Sequence, residues 1–354
     1  MKIKSLLLTI SFIFICTGLL PAQDLINAVK TGDIKEVRKL LPYSNMEERD
    51  EFNCTPYHWT AILGYREIAE LLLYNSEDLK YDADPNALVI DPKNLSRIDG
   101  KTIYTGSVMG APSAPVLAQE NKKDNLIDFF LSQGDIDLHL RSAVMCDNKV
   151  VTERAIEKGG DPNMMINMGG ERLLSPAIKL SFESGSEEIV DALIRKGADV
   201  SAAFLSSFVN GNTKEDSAVW EKLLDKGANI NQKFKKDTLS SFAYKKDINK
   251  LDFLVKHGVD LTVKYNKGRT LLHNAVEAQN NVNILIPPSN ICDRACMINY
   301  LSIRDDNGET ACDIAKRKLN GLTNEYAQQN AEYIKDLVCD ETIEKNLLKN
   351  IQTN

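Results

Sequence analysis

The sequence has little of what catalytic and nucleotide-binding sites need. Its 354 residues include four histidines and two tryptophans, and aromatic residues make up 7% of the chain. It contains no glycine-rich phosphate-binding motif, no Gly-x-Ser-x-Gly motif and no pair of histidines at the spacing of a His-Glu-x-x-His zinc site. The sequence therefore gives no support to nucleotide binding, serine hydrolysis or zinc proteolysis.

Basic residues are also in the minority. The chain has 43 lysines and arginines against 50 acidic residues, which gives a formal net charge of -7 and a pI near 5.4. An acidic chain has no general electrostatic attraction for nucleic acid or anionic lipid, so we expect neither as a partner. Hydrophobic residues reach 43%, which predicts a folded protein rather than a disordered one.

Long apolar runs are confined to the N-terminus. Lys2 and Lys4 precede an apolar run over residues 6–20, and Ala22 follows as a small residue suited to cleavage. A helix over this run spans roughly 23 Å, which is too short for a hydrocarbon core of roughly 30 Å. The pattern predicts a signal peptide over residues 1–22. We expect export to the periplasm or the medium, with no membrane contact after cleavage.

Cysteine is sparse, with seven in the whole chain. Cys16 lies in the apolar run and would be the lipid attachment site of a lipoprotein, but Ile15 stands where that motif has a small residue. Cys292 and Cys296 are the one close pair, and two free thiols, a local disulfide and half of a metal site all remain open. Cys312 follows a helix start at an apolar position, which predicts a buried, inert side chain.

A repeated pattern is the strongest feature of the sequence. In segment 188–194, Ile189, Val190 and Leu193 lie on one face of a helix. Five glycines follow such segments at intervals of 25 to 38 residues: Gly134, Gly159, Gly197, Gly227 and Gly258. Four of them are followed by one small or apolar residue and then Asp or Asn. The pattern predicts amphipathic helices that end on a left-handed glycine and continue into a turn.

Two segments resemble a known family. Thr55-Pro56-Tyr57-His58, followed by Gly64, resembles the Thr-Pro-Leu-His opening of an ankyrin repeat, and so does Thr270-Leu271-Leu272-His273. The resemblance is to an exported ankyrin repeat protein of bacterial type. It implies an all-α, ankyrin-type solenoid of stacked antiparallel helix pairs, in which His58 and His273 hydrogen-bond to neighbouring loops. Thr55 and Pro56 suit the first positions of a helix.

The chain is then divided into a leader, a repeat array of about nine helix pairs and a tail. Two stretches, 76–111 and 279–297, are longer than an ordinary repeat loop and are interpreted as insertions. The predicted segments are 1–22 (signal peptide), 24–75 (N-terminal ankyrin-like repeats), 76–111 (insertion), 112–340 (ankyrin-like repeat array) and 341–354 (C-terminal tail).

The resemblance implies a non-catalytic module that binds a protein partner through the turns between repeats. Exposed aromatic and methionine side chains are common at interfaces, whereas the same side chains could also fold back onto the core, and both interpretations stay open. The candidate partner-binding residues in these turns are Met164, Met165, Phe234, Tyr265, Lys235 and Lys264.

The expected protein is a monomer with a protein partner, no cofactor, no catalytic residue and no metal ligand. Basic residues in the turns, from Lys233 to Lys267, favour an acidic partner, although a solvated loop explains them as well. A periplasmic partner protein, an immunity role and a secreted effector role fit the sequence equally. The alternative is a metal-binding or enzymatic protein whose site lies in the insertions at 76–111 and 279–297.

Overall fold

The computed structural model describes residues 22–74, 83–89, 97–98, 101–102, 111–166, 170–234 and 237–339. Over these residues the fold is all-α, as the sequence predicts, with eighteen α-helices and two short two-stranded hairpins. No described helix is both long and apolar enough to cross a membrane. The signal peptide, apart from Ala22, and the tail at 341–354 lie outside the described residues.

Internal contacts divide the chain into two compact units, Met1–Asp199 and Val200–Asn354. The first unit contains α1 (Ala22–Thr31), α2 (Ile34–Leu40), α3 (Pro56–Leu63), α4 (Arg66–Tyr74), β1 (Arg97–Ile98), β2 (Lys101–Thr102), α5 (Ala114–Glu120), α6 (Asp124–Leu131), α7 (Ile136–Met145), α8 (Lys149–Glu157), α9 (Leu174–Ser184) and α10 (Glu188–Arg195).

The second unit continues the same alternation of helices and short turns. It contains α11 (Val200–Asn210), α12 (Thr213–Asp225), β3 (Lys233–Phe234), β4 (Asp237–Thr238), α13 (Leu239–Lys246), α14 (Ile248–Lys256), α15 (Leu271–Ala278), α16 (Arg294–Leu301), α17 (Ala311–Asn320) and α18 (Glu325–Val338). Short 3-10 turns lie at Leu41–Tyr43, Asn266–Gly268 and Asn283–Leu285. Consecutive helices such as α5 and α6, or α17 and α18, pack on each other as pairs.

Local sequence sets the ends of these helices. Thr55 caps α3 and Pro56 occupies its first turn, where the missing N–H costs no hydrogen bond. Gly197 has φ 102° and Gly227 has φ 96°, and the other three glycines of the repeated pattern also have positive φ. The left-handed glycines that the repeated pattern predicts are therefore confirmed, because only glycine adopts this backbone without steric cost.

Each unit has its own aromatic and aliphatic core. In the first unit the buried ring of Tyr57 meets that of Phe130 edge to face at 5.6 Å. In the second unit Trp220 is fully buried and packs against Phe208 at 4.9 Å and Phe253 at 5.2 Å between ring centroids. Each helix pair has an apolar face that it cannot bury by itself. Burial of these faces against neighbouring pairs is the main contribution to their stability.

Side chains in the turns that follow the glycines tie successive helix pairs together. In each case the backbone N–H of an Asp or Asn in one turn donates to a side-chain oxygen that lies in the preceding turn or in the first turn of the helix that follows it, at 2.6 to 2.9 Å. The donor and acceptor pairs are Asp135 to Asn86, Asp161 to Asp137 and Asp199 to Asn163 in the first unit, and Asn229 to Ser201 and Asp260 to Asn231 in the second. This series fixes the register between neighbouring turns.

Loss of one link should cost measurable stability. The Asn163 side chain accepts from Asp199 N–H at 2.6 Å and donates to the Gly197 carbonyl at 3.0 Å. We expect Asn163→Ala to lower the free energy of unfolding of the first unit by about 1 to 2 kcal/mol, since two hydrogen bonds are lost. Urea unfolding checks this, with the exposed Asn330→Ala as a control. Equal stability of the two variants would show that the links contribute nothing.

The cysteines correct one prediction. Cys312 is buried, as predicted, but it forms a disulfide with Cys339 that joins the start of α17 to the end of α18, so the prediction of an inert side chain is wrong. Spacing gave no hint, because the two residues are 27 apart in sequence and only the antiparallel return of α18 brings them together. Cys292 and Cys296 form a second disulfide before and within the first turn of α16.

Candidate functional site

Several turns between helix pairs share one local design. In the turn 305–310, the Asp305 carboxylate accepts from the N–H groups of Asn307 at 2.8 Å and Glu309 at 3.1 Å, and Gly308 is left-handed. In the turn 50–55, Asp50 accepts in the same way from the second and fourth residues after it. The aspartate carboxylate therefore adds two side-chain hydrogen bonds to the backbone hydrogen bonds that close each turn.

The surroundings of Asp305 stabilise the ionised form of its carboxyl group. Burial alone would raise the pKa of this carboxyl, but hydrogen bonds from Arg269 and from the turn amides of Glu309 and Asn307 lower it below its ordinary value. The Arg269 Nε lies 3.1 Å from the carboxylate, and its Nη2 lies 3.5 Å from Glu277 Oε2. The ion pair between Arg269 and the buried Asp305 therefore holds the turn 305–310 against the turn 264–269.

Tyr265 occupies the position that aspartate holds in the other two turns. The backbone still closes, since Tyr265 N–H donates to the Arg269 carbonyl at 2.8 Å and Gly268 N–H donates to the Tyr265 carbonyl at 3.1 Å. The half-buried tyrosine ring extends to the preceding hairpin, where its hydroxyl lies 2.5 Å from the Thr238 Oγ1. Tyr265 therefore connects two consecutive turns instead of building its own.

Lys264 connects the same turn to the one that follows. Its exposed Nζ donates to the Arg304 carbonyl at 2.8 Å, and the Asp306 N–H donates to the Lys267 carbonyl at 3.0 Å. Three successive turns of the second unit are thereby joined into one surface. We call this surface the turn strip and define it as residues 233–234, 237–238, 264–269 and 304–309.

Phe234 lies at the near end of the turn strip but is half-buried. Its ring packs edge to face on Phe242 of α13 at 5.2 Å between centroids. Both predicted aromatic contacts, Phe234 and Tyr265, thus pack partly on their own unit and leave part of each ring on the surface. The exposed cationic side chains of the strip are Lys233, Lys264, Lys267 and Arg304.

The remaining predicted residues are placed elsewhere. Met165 is 64% exposed on the hairpin that pairs it with Arg172, and Met164 beside it is half-buried. Both methionines belong to the first unit, whereas the turn strip belongs to the second. Lys235 lies outside the described residues. Arg304 and Thr238 were not predicted from the sequence, although the Gly-x-Thr spacing that 268–270 shares with 308–310 was a usable signal for the turn beside Arg304.

The histidines of the Thr-x-x-His segments are structural. His58 is fully buried, its Nδ1 accepts from Thr55 N–H at 3.0 Å, and its Nε2 lies 3.0 Å from the Ala87 carbonyl. This pattern assigns the neutral ring with its proton on Nε2. Burial lowers the pKa of His58 to about 4. His273 repeats the arrangement, with Nε2 3.2 Å from the Glu309 carbonyl in the turn strip.

A polar groove of about 480 Å³ lies between α12 and α14. Lys256 pairs with Asp252 at 2.7 Å, and the His257 ring stacks on Phe253 with centroids 4.1 Å apart. The His257 Nδ1 also lies 2.8 Å from the Phe253 carbonyl. Because these lining groups bind one another along the same helix, the groove has the character of a solvated helix face.

The residues of the predicted insertions give no metal site in the described part of the chain. Within it, no group of three or more His, Cys, Asp or Glu side chains is placed to hold a metal ion. Cys292 and Cys296 are bonded to each other, so neither sulfur is a thiolate ligand. Residues 83–89 of the first insertion pack into the first unit, with Val89 N–H bonded to the Pro112 carbonyl at 3.0 Å, and most of the other residues of 76–111 lie outside the description.

No protein-family model matches the chain, and no curated protein matches it. The turns and their side chains are therefore the basis for the proposed function.

Proposed function

We propose that this protein is an exported, non-catalytic ankyrin-type module that binds a protein partner through the turn strip of its second unit. The observation that carries the proposal is the joining of three successive turns by Tyr265 and Lys264. A binding surface made of loops needs loops held in fixed positions, because ordering them on binding would cost conformational free energy.

Local geometry supports the ankyrin-type solenoid. The Thr-x-x-His segments at 55–58 and 270–273 both form capping boxes in which the threonine and histidine side chains satisfy backbone N–H groups. In both, the outer histidine nitrogen reaches a carbonyl of the next turn. Thr310 and Asp313 form the same box with a carboxylate in place of the ring. A device that links a helix pair to the next turn, as at 55–58 and 270–273, is what a stacked array requires.

The tyrosine at position 265 supports the assignment of the strip as the functional face. An aspartate there would complete the turn with two internal hydrogen bonds, as Asp305 does. Tyrosine gives up those bonds and leaves part of an aromatic ring at the surface between two lysine-bearing turns. Tyrosine and arginine are the residues that contribute most to binding at protein interfaces.

Export is supported by two independent features. The lysines and apolar run of residues 1–22 are typical of a signal peptide. The two disulfides are characteristic of proteins that reside in an oxidising compartment, since the cytosol keeps most thiols reduced. Periplasmic, immunity and effector roles each fit an exported binding module, and the identity of a captured partner distinguishes them.

The exposed cations of the strip favour an acidic partner surface. Lys233, Lys264, Lys267 and Arg304 are all exposed on it, within a chain whose net charge is -7. Complementary charge at an interface rim accelerates association and selects among partners more than it adds affinity. Binding through this strip should therefore weaken as salt concentration rises.

Charge reversal tests the proposal. We expect Lys233→Glu/Lys267→Glu to weaken partner binding at least about tenfold, because two attractive contacts become repulsive. Lys267 already has φ 62°, so glutamate introduces no new backbone strain there. Mature wild-type protein is used to capture partners from cell-envelope and secreted fractions, and the affinity of each captured protein is then measured by calorimetry.

The matched control is Lys214→Glu/Lys246→Glu, which makes the same charge change on exposed helical positions of the same unit. The proposal holds for a protein that binds wild type and control alike and loses affinity for the strip variant. It fails where captured proteins bind all three forms equally, or where the control loses as much affinity as the strip variant.

A further inference from the structure

The two disulfides of the second unit differ in how they are held. Cys312 is 8% exposed at the start of α17, and Cys339 follows the last residue of α18, so their bond lies against a packed helix pair. Cys292 and Cys296 are only four residues apart, and their bond lies at the N-terminal end of α16. The first bond closes a tertiary contact, whereas the second spans a single turn.

Within the Cys292–Cys296 bond the two sulfurs are unequal. Cys292 is 4% exposed, whereas Cys296 is an exposed residue in the first turn of α16. Thiol–disulfide exchange requires that an incoming thiolate approach one sulfur of the bond, so exposure decides which sulfur is attacked. Cys296 is the accessible one.

The position of the Cys292–Cys296 bond at the start of a helix favours its reduction to thiols. Both cysteines lie at the N-terminal, positive end of α16, where the helix dipole stabilises a thiolate. A stabilised thiolate is a better leaving group in exchange. Cys339 has the opposite position, because it caps the C-terminal, negative end of α18.

The α16 helix does not depend on the bond for its start. Asp293 caps it, and its carboxylate accepts from the Cys296 N–H at 2.9 Å. Cys292 is held separately in a turn, where its N–H donates to the Pro288 carbonyl at 3.0 Å. The bond can therefore open and close again without loss of the helix that carries Cys296.

We propose that Cys292–Cys296 is a thiol-exchange site that accepts a low-molecular-weight thiol or a cysteine of a dithiol protein at the Cys296 sulfur. The incoming thiolate forms a bond to Cys296 Sγ while the Cys292–Cys296 bond breaks, and the electron pair leaves on Cys292, which then takes a proton. A second external thiolate then forms a bond to the sulfur of the first, the bond to Cys296 Sγ breaks, and Cys296 leaves as a thiolate that takes a proton. The external pair ends as a disulfide and both cysteines end as thiols, a two-electron reduction of this site.

The experiment uses the folded, wild-type protein. It is mixed with reduced glutathione or dithiothreitol, quenched at intervals with an alkylating reagent, and each cysteine-containing peptide is quantified by mass spectrometry. We expect Cys292 and Cys296 to become reactive at least about tenfold faster than Cys312 and Cys339, and we expect the glutathione adduct on Cys296. Equal rates for the two bonds, or an adduct on Cys292, would overturn the proposal.

Single-cysteine variants give an independent readout. Cys292→Ser leaves Cys296 as a free thiol, and Cys296→Ser leaves Cys292. We expect the first variant to react with an aromatic disulfide reagent at least about tenfold faster than the second, because Cys296 is the exposed thiol. Circular dichroism of both variants verifies that they are folded. A faster reaction of Cys292 would contradict the assignment of Cys296 as the attacked sulfur. The outcome is independent of partner binding by the turn strip.

Discussion

Replacement of Cys312 and Cys339 by serine is expected to lower the opening free energy of the last helix pair by about 3.5 kcal/mol. The disulfide joins residues 27 apart and so removes a large loop-closure entropy from the unfolded chain. The pair α17 and α18 gains most from it, because this is the last described helix pair of its unit. Hydrogen exchange of α17 and α18 peptides measures the opening free energy directly.

The control for this prediction is Cys292→Ser/Cys296→Ser, which removes the bond between residues four apart. We expect exchange in α17 and α18 to stay at the wild-type rate in this variant, since its bond constrains only the turn before α16. Equal protection of α17 and α18 in wild type and in Cys312→Ser/Cys339→Ser would show that the packed helices, without the bond, determine their stability.

Acid is expected to destabilise the first unit through His58. The folded protein holds this ring neutral with its pKa at about 4, below the ordinary value of 6.5. The unfolded chain takes up a proton as the pH falls through 6.5, whereas the folded chain does not until about pH 4. The contribution to stability is therefore intact above pH 6.5 and is lost between pH 6.5 and 4, to the extent of roughly 3 kcal/mol.

His58→Gln isolates this effect, because glutamine does not titrate and its amide can still donate toward the Ala87 carbonyl. Urea unfolding at pH 7.5, 6, 5 and 4 should show a flatter pH dependence in this variant than in wild type. Burial also lowers the pKa values of His139 and His273, so the difference between variant and wild type is the quantity to compare. Parallel curves for His58→Gln and wild type would refute the prediction.

The turn strip differs from a simple exposed patch, because some of its side chains are held in place by the neighbouring turns. Tyr265 and Lys264 each hydrogen-bond to a neighbouring turn through one polar group, and the rest of each side chain stays near the surface. Such residues are both positioned and available, which reduces the entropy that binding has to overcome. Lys267 bonds the next turn through its carbonyl and leaves its ammonium group to solvent.

Part of this arrangement could be predicted from single residues and part could not. Phe234 and Tyr265 were identified because they are aromatic residues in turns, but a turn residue can face solvent or the next repeat. The sequence left both interpretations open, and the structure shows a partial answer in which Phe234 packs on Phe242 and Tyr265 reaches Thr238. Such contacts join residues eight and 27 positions apart, and no local rule specifies them.

The sequence by itself determined which segments form helices and where several of those helices begin and end. Apolar residues at helical spacing predicted the helices, and left-handed glycines, Thr55 and Pro56 predicted where they begin and end, because these features depend on neighbours within one turn of the chain. Tertiary structure alone decided the Cys312–Cys339 bond, the joining of three turns into one strip and the difference in exposure between Cys292 and Cys296. Each of these depends on where separate helices pack, and packing is determined by the summed burial of many side chains rather than by any one motif.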